Sequence, residues 1–247
     1  YGVQIQHAWG MTETSPIGTL NSFKTRHAAL SADEKLALKA KQGRGIFGIQ
    51  MKIVDGEGKS LPHDGKTFGD LLVRGPWVAS GYFKCQSEHG EGDEDNSAHL
   101  LTDEKGLQWL HSGDVATIDP DGFMQITDRS KDIIKSGGEW ISSLALETIA
   151  ASHPAIAEAA VIGVPHPKWS ERPLLLAVKK GNGVSREELL AFYEGKTASW
   201  CRPDDVIFVD SLPHTATGKL LKTRLREEFA SHQMPATSAC NGLPIDS

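Results

Sequence analysis

The sequence predicts an α+β protein: a partial antiparallel β-barrel subdomain, then a small α+β domain. Three observations predict it. From about residue 45 to 128, short β-like runs are separated by Asp/Gly turns. After about residue 140, helical and strand-like runs alternate. Between them lies Asp128-Arg129-Ser130-Lys131-Asp132-Ile133-Ile134-Lys135-Ser136-Gly137-Gly138, too charged and too glycine-bearing for a core element. By itself this stretch reads either as a solvated linker or as a hinge whose side chains touch a ligand.

The 247 residues allow one large domain or two small ones. With 39% hydrophobic and 23% charged residues, the composition is that of a globular protein. A net charge of −6 argues against a general nucleic-acid binder, whose affinity rests on clustered Lys and Arg. No apolar run approaches the ~20 residues that span a bilayer. Cys85, Cys201 and Cys240 are far apart and lack metal-ligand spacing, so they read as reduced thiols in a cytoplasmic protein. The chain opens on Tyr1 and enters a strand-like run, Val3 to Trp9, almost at once; the expectation is a fragment that begins inside a domain.

Trp9-Gly10-Met11-Thr12-Glu13-Thr14 follows. Gly10 is expected to turn the backbone beneath the indole. The indole suits stacking on a purine, and the hydroxyl and carboxylate suit a phosphate and its Mg²⁺. A strand-end Trp beside a polar turn is also ordinary structure. Ser31-Ala32-Asp33-Glu34 is a capping box opening a surface helix that Gly43 is expected to close. Ile49 to Val54 alternates as a half-buried strand, with Asp55 to Gly58 as its turn. Gly69 to Arg74 is a second strand, ended by Gly75-Pro76. Val115 to Ile118, Asp119-Pro120-Asp121-Gly122 and Phe123 to Asp128 form strand, turn and strand. The acidic loop from Glu88 resembles a calcium loop in spacing, but Ala98 occupies the glycine position and no helix precedes it; it reads as a solvated insertion.

In the second half, Leu144 to Ser152 reads as a helix and Ala157 to Val164 as a buried strand, broken by Pro165-His166-Pro167. Leu174 to Val178 is a strand. Ser185-Arg186-Glu187-Glu188 caps a helix with Leu189, Phe192 and Tyr193 on its apolar face. Val206 to Val209 is a strand and Leu221 to Phe229 a last helix. The loop Leu212 to Lys219 carries a Lys after a Gly but lacks the spacing of a phosphate-cradling loop. The expected domains are residues 1–129, residues 130–230 and a loose tail from 231 to 247.

Four signals thus stand in order: Trp9-Gly10-Met11-Thr12-Glu13, Ser112-Gly113-Asp114, Asp128-Arg129-Ser130-Lys131 with Gly137-Gly138, and Thr217-Gly218-Lys219. With them the chain resembles the C-terminal half of an adenylate-forming acyl-CoA synthetase, the superfamily of fatty-acid CoA ligases, luciferases and peptide-synthetase adenylation domains. The resemblance runs from Tyr1 to about Phe229 and is nearest to bacterial medium- and long-chain fatty-acyl-CoA ligases.

That resemblance implies the following roles. Trp9, with Gly10 and Met11, holds the adenine and walls the acyl pocket. Thr12 bonds the α-phosphate, and Glu13 binds Mg²⁺. Asp114 accepts from both ribose hydroxyls, Arg129 contacts the same ribose, and Ile126 belongs to the nucleotide site. Lys219 places its ammonium between substrate carboxylate and α-phosphate. Lys131 is the hinge, about which the small C-terminal α+β domain is mobile. Gly137 and Gly138 let the backbone run close to the pantetheine arm of CoA, with Glu139 and Trp140 beside them. The substrates implied are ATP, coenzyme A and a small carboxylic acid, a fatty acid in the nearest members; a homodimer is compatible. The family usually carries Thr at the place of Ser112, after an aromatic residue and Arg, where this chain has Leu110 and His111. The family's Ser/Thr/Gly-rich phosphate loop has no counterpart here, so the chain by itself is expected to be inactive in adenylation. Alternatives are an adenylating enzyme for an aryl acid, an amino acid or a luciferin, and a non-catalytic binding protein that keeps the fold.

Overall fold

A computed structural model describes residues 3–82, 99–181, 183–216 and 218–234. It divides into two units, Tyr1–Lys131 and Asp132–Ser247.

In the first unit, β1 (Ala8–Trp9) and β2 (Thr19–Leu20) pair antiparallel, α1 (Ala32–Lys39) follows, and β3 (Arg44–Gly45) returns to β2. The capping box at the start of α1 is present: Ser31 N–H donates to Glu34 Oε2 at 2.8 Å, and Glu34 N–H donates to Ser31 Oγ at 3.3 Å. A second antiparallel sheet contains β4 (Gln50–Val54), β5 (Phe68–Arg74), β6 (Leu100–Thr102), β7 (Gln108–Ile118) and β8 (Met124–Arg129). β7 is its centre. It pairs with β5 along one edge, and β6 and β8 share the other. The Asp119–Gly122 turn forms as its residues require: Asp119 Oδ1 accepts from Asp121 N–H and Phe123 N–H, both at 2.9 Å. Asp114 and Arg129 become direct cross-strand partners because a one-residue bulge between Val115 and Ala116 shifts the register that the turn sets.

The second unit begins with a hairpin of β9 (Ile134–Ser136) and β10 (Glu139–Ile141). Its two-residue turn is Gly137-Gly138, with φ of 60° and 88°. Such a tight turn needs positive φ at both centres, which is why two glycines stand there. α2 (Ser143–Ala151), β11 (Ile156–His166), β12 (Ser170–Lys179), α3 (Arg186–Ala191), β13 (Asp205–Phe208) and α4 (Lys222–Glu228) complete it. β11 and β12 are antiparallel, and β13 lies parallel to β12. Both faces of this sheet are covered. Val161, Leu175 and Ala177 pack with Leu146, Leu189 and Tyr193; Ile162, Val164, Leu174 and Leu176 pack with Leu212 and Leu225. Double burial explains why these strands read as continuous apolar runs instead of alternating ones. Each fully buried aliphatic side chain contributes roughly 1.5–3 kcal/mol.

Several expectations are corrected. Neither sheet of the first unit closes into a barrel among the described residues. The strand-like run from Val3 is a strand only at Ala8–Trp9; Val3 and Ile5 are exposed and no described strand pairs with them. α1 ends on Ala40 in the right-handed region, not on Gly43. Gly43, at φ 98°, serves a different end: a Cβ there would lie 2.2 Å from the Leu20 carbonyl carbon. Pro165 does not break β11, which continues to His166; β11 is an edge strand, where proline costs no ladder bond. The tail starts later than Ser231, since His232 Nε2 lies 3.0 Å from Asp205 Oδ2 and Met234 packs on the core. The acidic loop, Cys85, Cys240 and Thr217 lie outside the described residues. No described helix is long and apolar enough to cross a membrane.

Candidate functional site

The first unit gathers Trp9, Met11, Asp114, Ile126 and Arg129. Trp9, Met11 and Ile126 pack on one core cluster with Ile53, Leu71, Ala116 and Met124. Asp114 is 5% exposed on β7, and each of its oxygens has a partner. Trp9 Nε1 donates to Oδ2 at 2.8 Å, and Arg129 Nη1 lies 2.9 Å from Oδ1. Ser112 sets the strand beside it: its hydroxyl donates to Leu71 O at 2.8 Å and accepts from Asp114 N–H at 3.2 Å. A serine oxygen is enough for both bonds. The Ile126 N–H donates to Gln42 Oε1 at 2.8 Å.

Burial pushes the Asp114 carboxyl up, against Trp9, Arg129 and His111, which favour its charged form. A raised carboxyl makes the folded chain hold its proton to higher pH than the unfolded chain does. Stability from this group is therefore full below the ordinary Asp range and is lost as pH rises through the raised value. Asp114→Asn is expected to remove that loss. Its denaturation midpoint should gain on the parent's as pH climbs from about 3, then level off once Asp114 is ionised. A midpoint difference that stays flat with pH would show that the Arg129 pair cancels the burial.

Thr12–Thr14 is a single 3₁₀ turn directly after Trp9-Gly10-Met11. Thr12 is exposed, Glu13 half-buried and Thr14 fully buried. Thr14 locks the turn, its hydroxyl accepting from Met11 N–H at 2.9 Å. Tyr82 braces Glu13 by donating its hydroxyl to Oε1 at 2.7 Å, and Ala79 N–H donates to Glu13 O at 2.8 Å. Thr14 and Tyr82 are the residues that sequence reasoning missed. Thr14 lies next to the motif, and its β-branched hydroxyl two residues before Pro16 was the available signal. Tyr82 lies 69 residues from Glu13 in an irregular segment, and no local pattern announces it. The glycine beneath the Trp9 ring is Gly18, whose added Cβ would lie 2.5 Å from the ring; Gly10 instead lies against the Pro16 carbonyl. An open cleft of about 770 Å³ on this unit, lined by Arg74, Ala79 and Gln108, includes none of Trp9, Thr12, Glu13, Thr14 and Asp114.

Glu13 is the residue that the family resemblance assigns to Mg²⁺, and its surroundings fit that ion. Mg²⁺ keeps several waters and takes one or two protein carboxylates beside substrate phosphates. A single half-buried carboxylate with one oxygen on Tyr82 suits that mode. No group of three or more His, Cys, Asp or Glu able to hold a metal exists among the described residues.

Gly137, Gly138, Glu139, Trp140 and Lys219 lie in the second unit. Glu139 is exposed and Trp140 half-buried on β10. Lys219 is exposed, but its backbone is fixed: Thr215 N–H donates to Lys219 O at 2.7 Å, and Lys219 N–H donates to Thr215 Oγ1 at 3.1 Å. Gly218 permits this closure at φ 80°. Lys131 is the last residue of the first unit and is exposed.

Comparison with known proteins follows the same division. Residues 1–83 match the AMP-binding enzyme family, and residues 145–219 match the AMP-binding enzyme C-terminal domain. A 3-methylmercaptopropionyl-CoA ligase of Ruegeria lacuscaerulensis is 56% identical over 93% of this chain and 40% of its own length. A medium-chain-fatty-acid–CoA ligase of Ectopseudomonas oleovorans is 49% identical over 97% of this chain and 41% of its own. The o-succinylbenzoate CoA synthetase of Bacillus subtilis, solved with the acyl-adenylate intermediate OSB-AMP, superposes with a TM-score of 0.72 at 30% identity, over 91% of this chain and 41% of that one. The chain spans about 40% of the length of the curated relatives it matches. These relatives share CoA ligation and differ in the acid named, so the likeness does not single out a fatty acid. The chain belongs to the AMP-binding enzyme family.

Proposed function

We propose that this chain is the part of an AMP-forming acyl-CoA ligase that recognises the nucleoside and carries the thioester half of the reaction, and that its acid is aliphatic. The observation that carries the reading is the buried Asp114 carboxylate, tied to Trp9 and Arg129. An ionised carboxylate has about four acceptor positions, so two stay available for a vicinal diol. The aliphatic acid is supported by the two relatives' names, medium-chain fatty acid and 3-methylmercaptopropionyl.

The reaction has two steps. The acid's carboxylate attacks the α-phosphorus of ATP, forming the acyl–phosphate bond and releasing pyrophosphate. The CoA thiolate then attacks the acyl carbon, and AMP leaves. In the first step Asp114 and Arg129 hold the ribose, Trp9 the adenine, and Thr12 donates to the α-phosphate. Lys219 stabilises the charge that grows between carboxylate and phosphate. Glu13 would hold Mg²⁺, which when bound supplies charge neutralisation at the phosphates. In the second step the Gly137-Gly138 turn lets the pantetheine arm pass close to the backbone, beside Glu139 and Trp140. Lys131 is the point about which the second unit exchanges roles between steps.

The test uses the full-length protein. Acid-dependent AMP release and CoA thioester formation are measured with 3-methylmercaptopropionate, straight-chain fatty acids and aryl acids. Turnover with the aliphatic acids is expected, and turnover confined to aryl acids sinks the aliphatic reading. Asp114→Asn is expected to raise the KM for ATP about thirtyfold, the loss of charge-assisted hydrogen bonds, with the KM for CoA unaltered. An unchanged KM for ATP would remove Asp114 from the nucleotide site.

A further inference from the structure

We propose that Arg172 is a positioning residue for the CoA half-reaction, because its guanidinium ties the Gly137-Gly138 hairpin to the segment from Trp200 to Asp204. This rests on the reading of that hairpin as the CoA-facing element.

The hairpin is weakly held by backbone alone. β9 meets β12 in a single register pair, Ser170 with Ser136. Ile134 and Ile141 anchor its far end in the core, and the polar ties next to the glycine turn come from the run around Arg172. Gly137 N–H donates to Trp169 O at 2.9 Å, and Lys135 N–H donates to Glu171 Oε2 at 2.9 Å. Arg172 is 9% exposed and uses all three of its nitrogens. Nε and Nη2 form a fork on Asp204, at 2.8 Å to Oδ2 and 2.6 Å to Oδ1. Nη1 donates to Trp200 O at 2.7 Å and to Ser136 Oγ at 3.1 Å, and Nη2 also reaches Arg202 O at 3.3 Å. Ser136 is the residue immediately before Gly137. The planar cation thus fixes where the glycine turn begins, using an anchor in a different segment of the unit. A lysine keeps the charge but cannot reproduce a five-donor fork.

Two variants of the full-length protein test this, because Arg172→Ala alone would risk the fold. Arg172→Lys removes the fork, and Ser136→Ala removes only the contact to the hairpin. The KM for CoA is expected to rise about tenfold in the first and about threefold in the second. Acid-dependent pyrophosphate–ATP exchange should stay within about twofold of the parent in both. Parallel loss of exchange and CoA transfer overturns the proposal, since a merely structural arginine would damage both. An unchanged KM for CoA in Arg172→Lys overturns it too, whatever the melting temperature. Gly138→Ala separates this failure from a failure of the underlying reading. Gly138 has φ 88° and nothing within 4 Å of an added Cβ, so that methyl strains the turn and projects towards whatever approaches it. If Gly138→Ala raises the KM for CoA while Arg172→Lys does not, the hairpin reading stands and the role of Arg172 falls. If neither raises it, the hairpin is not the CoA-facing element and both fall.

Discussion

Lys219→Ala in the full-length protein is expected to slow acyl-adenylate formation by about a hundredfold to a thousandfold, the loss of one preorganised charged donor. CoA transfer from a supplied acyl-adenylate should stay near the parental rate. The structural ground is the division between backbone and side chain at this residue. The Thr215–Lys219 loop is closed by two bonds between its end residues, and Gly218 takes the left-handed conformation that closure needs. The ammonium is exposed at the end of a long stem. A fixed root and a free head suit a group that must reach a developing charge in one step only. Lys219→Arg keeps a cation but spreads it over a larger plane, so it should rescue only part of the rate. The two half-reactions are read separately, by pyrophosphate release and by thioester formation from synthetic acyl-adenylate. If transfer from the adenylate falls as far as adenylation, Lys219 does not belong to the first step alone.

What was legible in the sequence was local. The capping boxes at Ser31 and Ser185, the Asp119–Gly122 turn and the paired glycines each depend on residues two to four apart, and each forms as its chemistry requires. The apolar runs around Val161 and Leu175 announced strands buried on both faces. Trp9, Asp114 and Arg129 were legible as residue types, and the register of β7 and β8 brings Asp114 to Arg129. What was hidden depends on distant partners. β7 runs for 11 residues through Ser112-Gly113, which interrupt its apolar pattern. The alternation of Val3 and Ile5 promised a strand, yet a strand needs a neighbour and none is described. Gly10 and Gly18 are both close to Trp9 in sequence, and only the packing tells which one the ring covers. Tyr82 supports Glu13 across 69 residues, a contact written in the fold alone.

Lys131→Pro is expected to leave adenylation near the parental rate and to slow CoA thioester formation by about a hundredfold, the cost of misplacing a reactant by an ångström or more. The reason lies in the residues on either side. Ser130 is pinned within the first unit: its hydroxyl donates to Asp70 Oδ1 at 2.6 Å and its N–H to Gly113 O at 3.0 Å. Asp132 is pinned within the second unit by the Arg226 guanidinium. Lys131 is exposed between two anchored neighbours, so a rotation of one unit against the other would fall on its own φ and ψ. Proline fixes φ near −65°, removes the N–H and disfavours the helical region at Ser130. It should trap one arrangement without unfolding either unit, because Lys131 contributes nothing to either core. Lys131→Ala leaves both torsions free and should be mild. A third variant, Asp132→Asn, weakens one anchor and should spread the rotation over two residues, with a smaller effect on transfer than proline. Each variant is followed through both half-reactions in single-turnover experiments, with a melting curve beside them. Equal loss of both half-reactions in the proline variant, at an unchanged melting temperature, would falsify the hinge role and leave this segment a plain linker between two units.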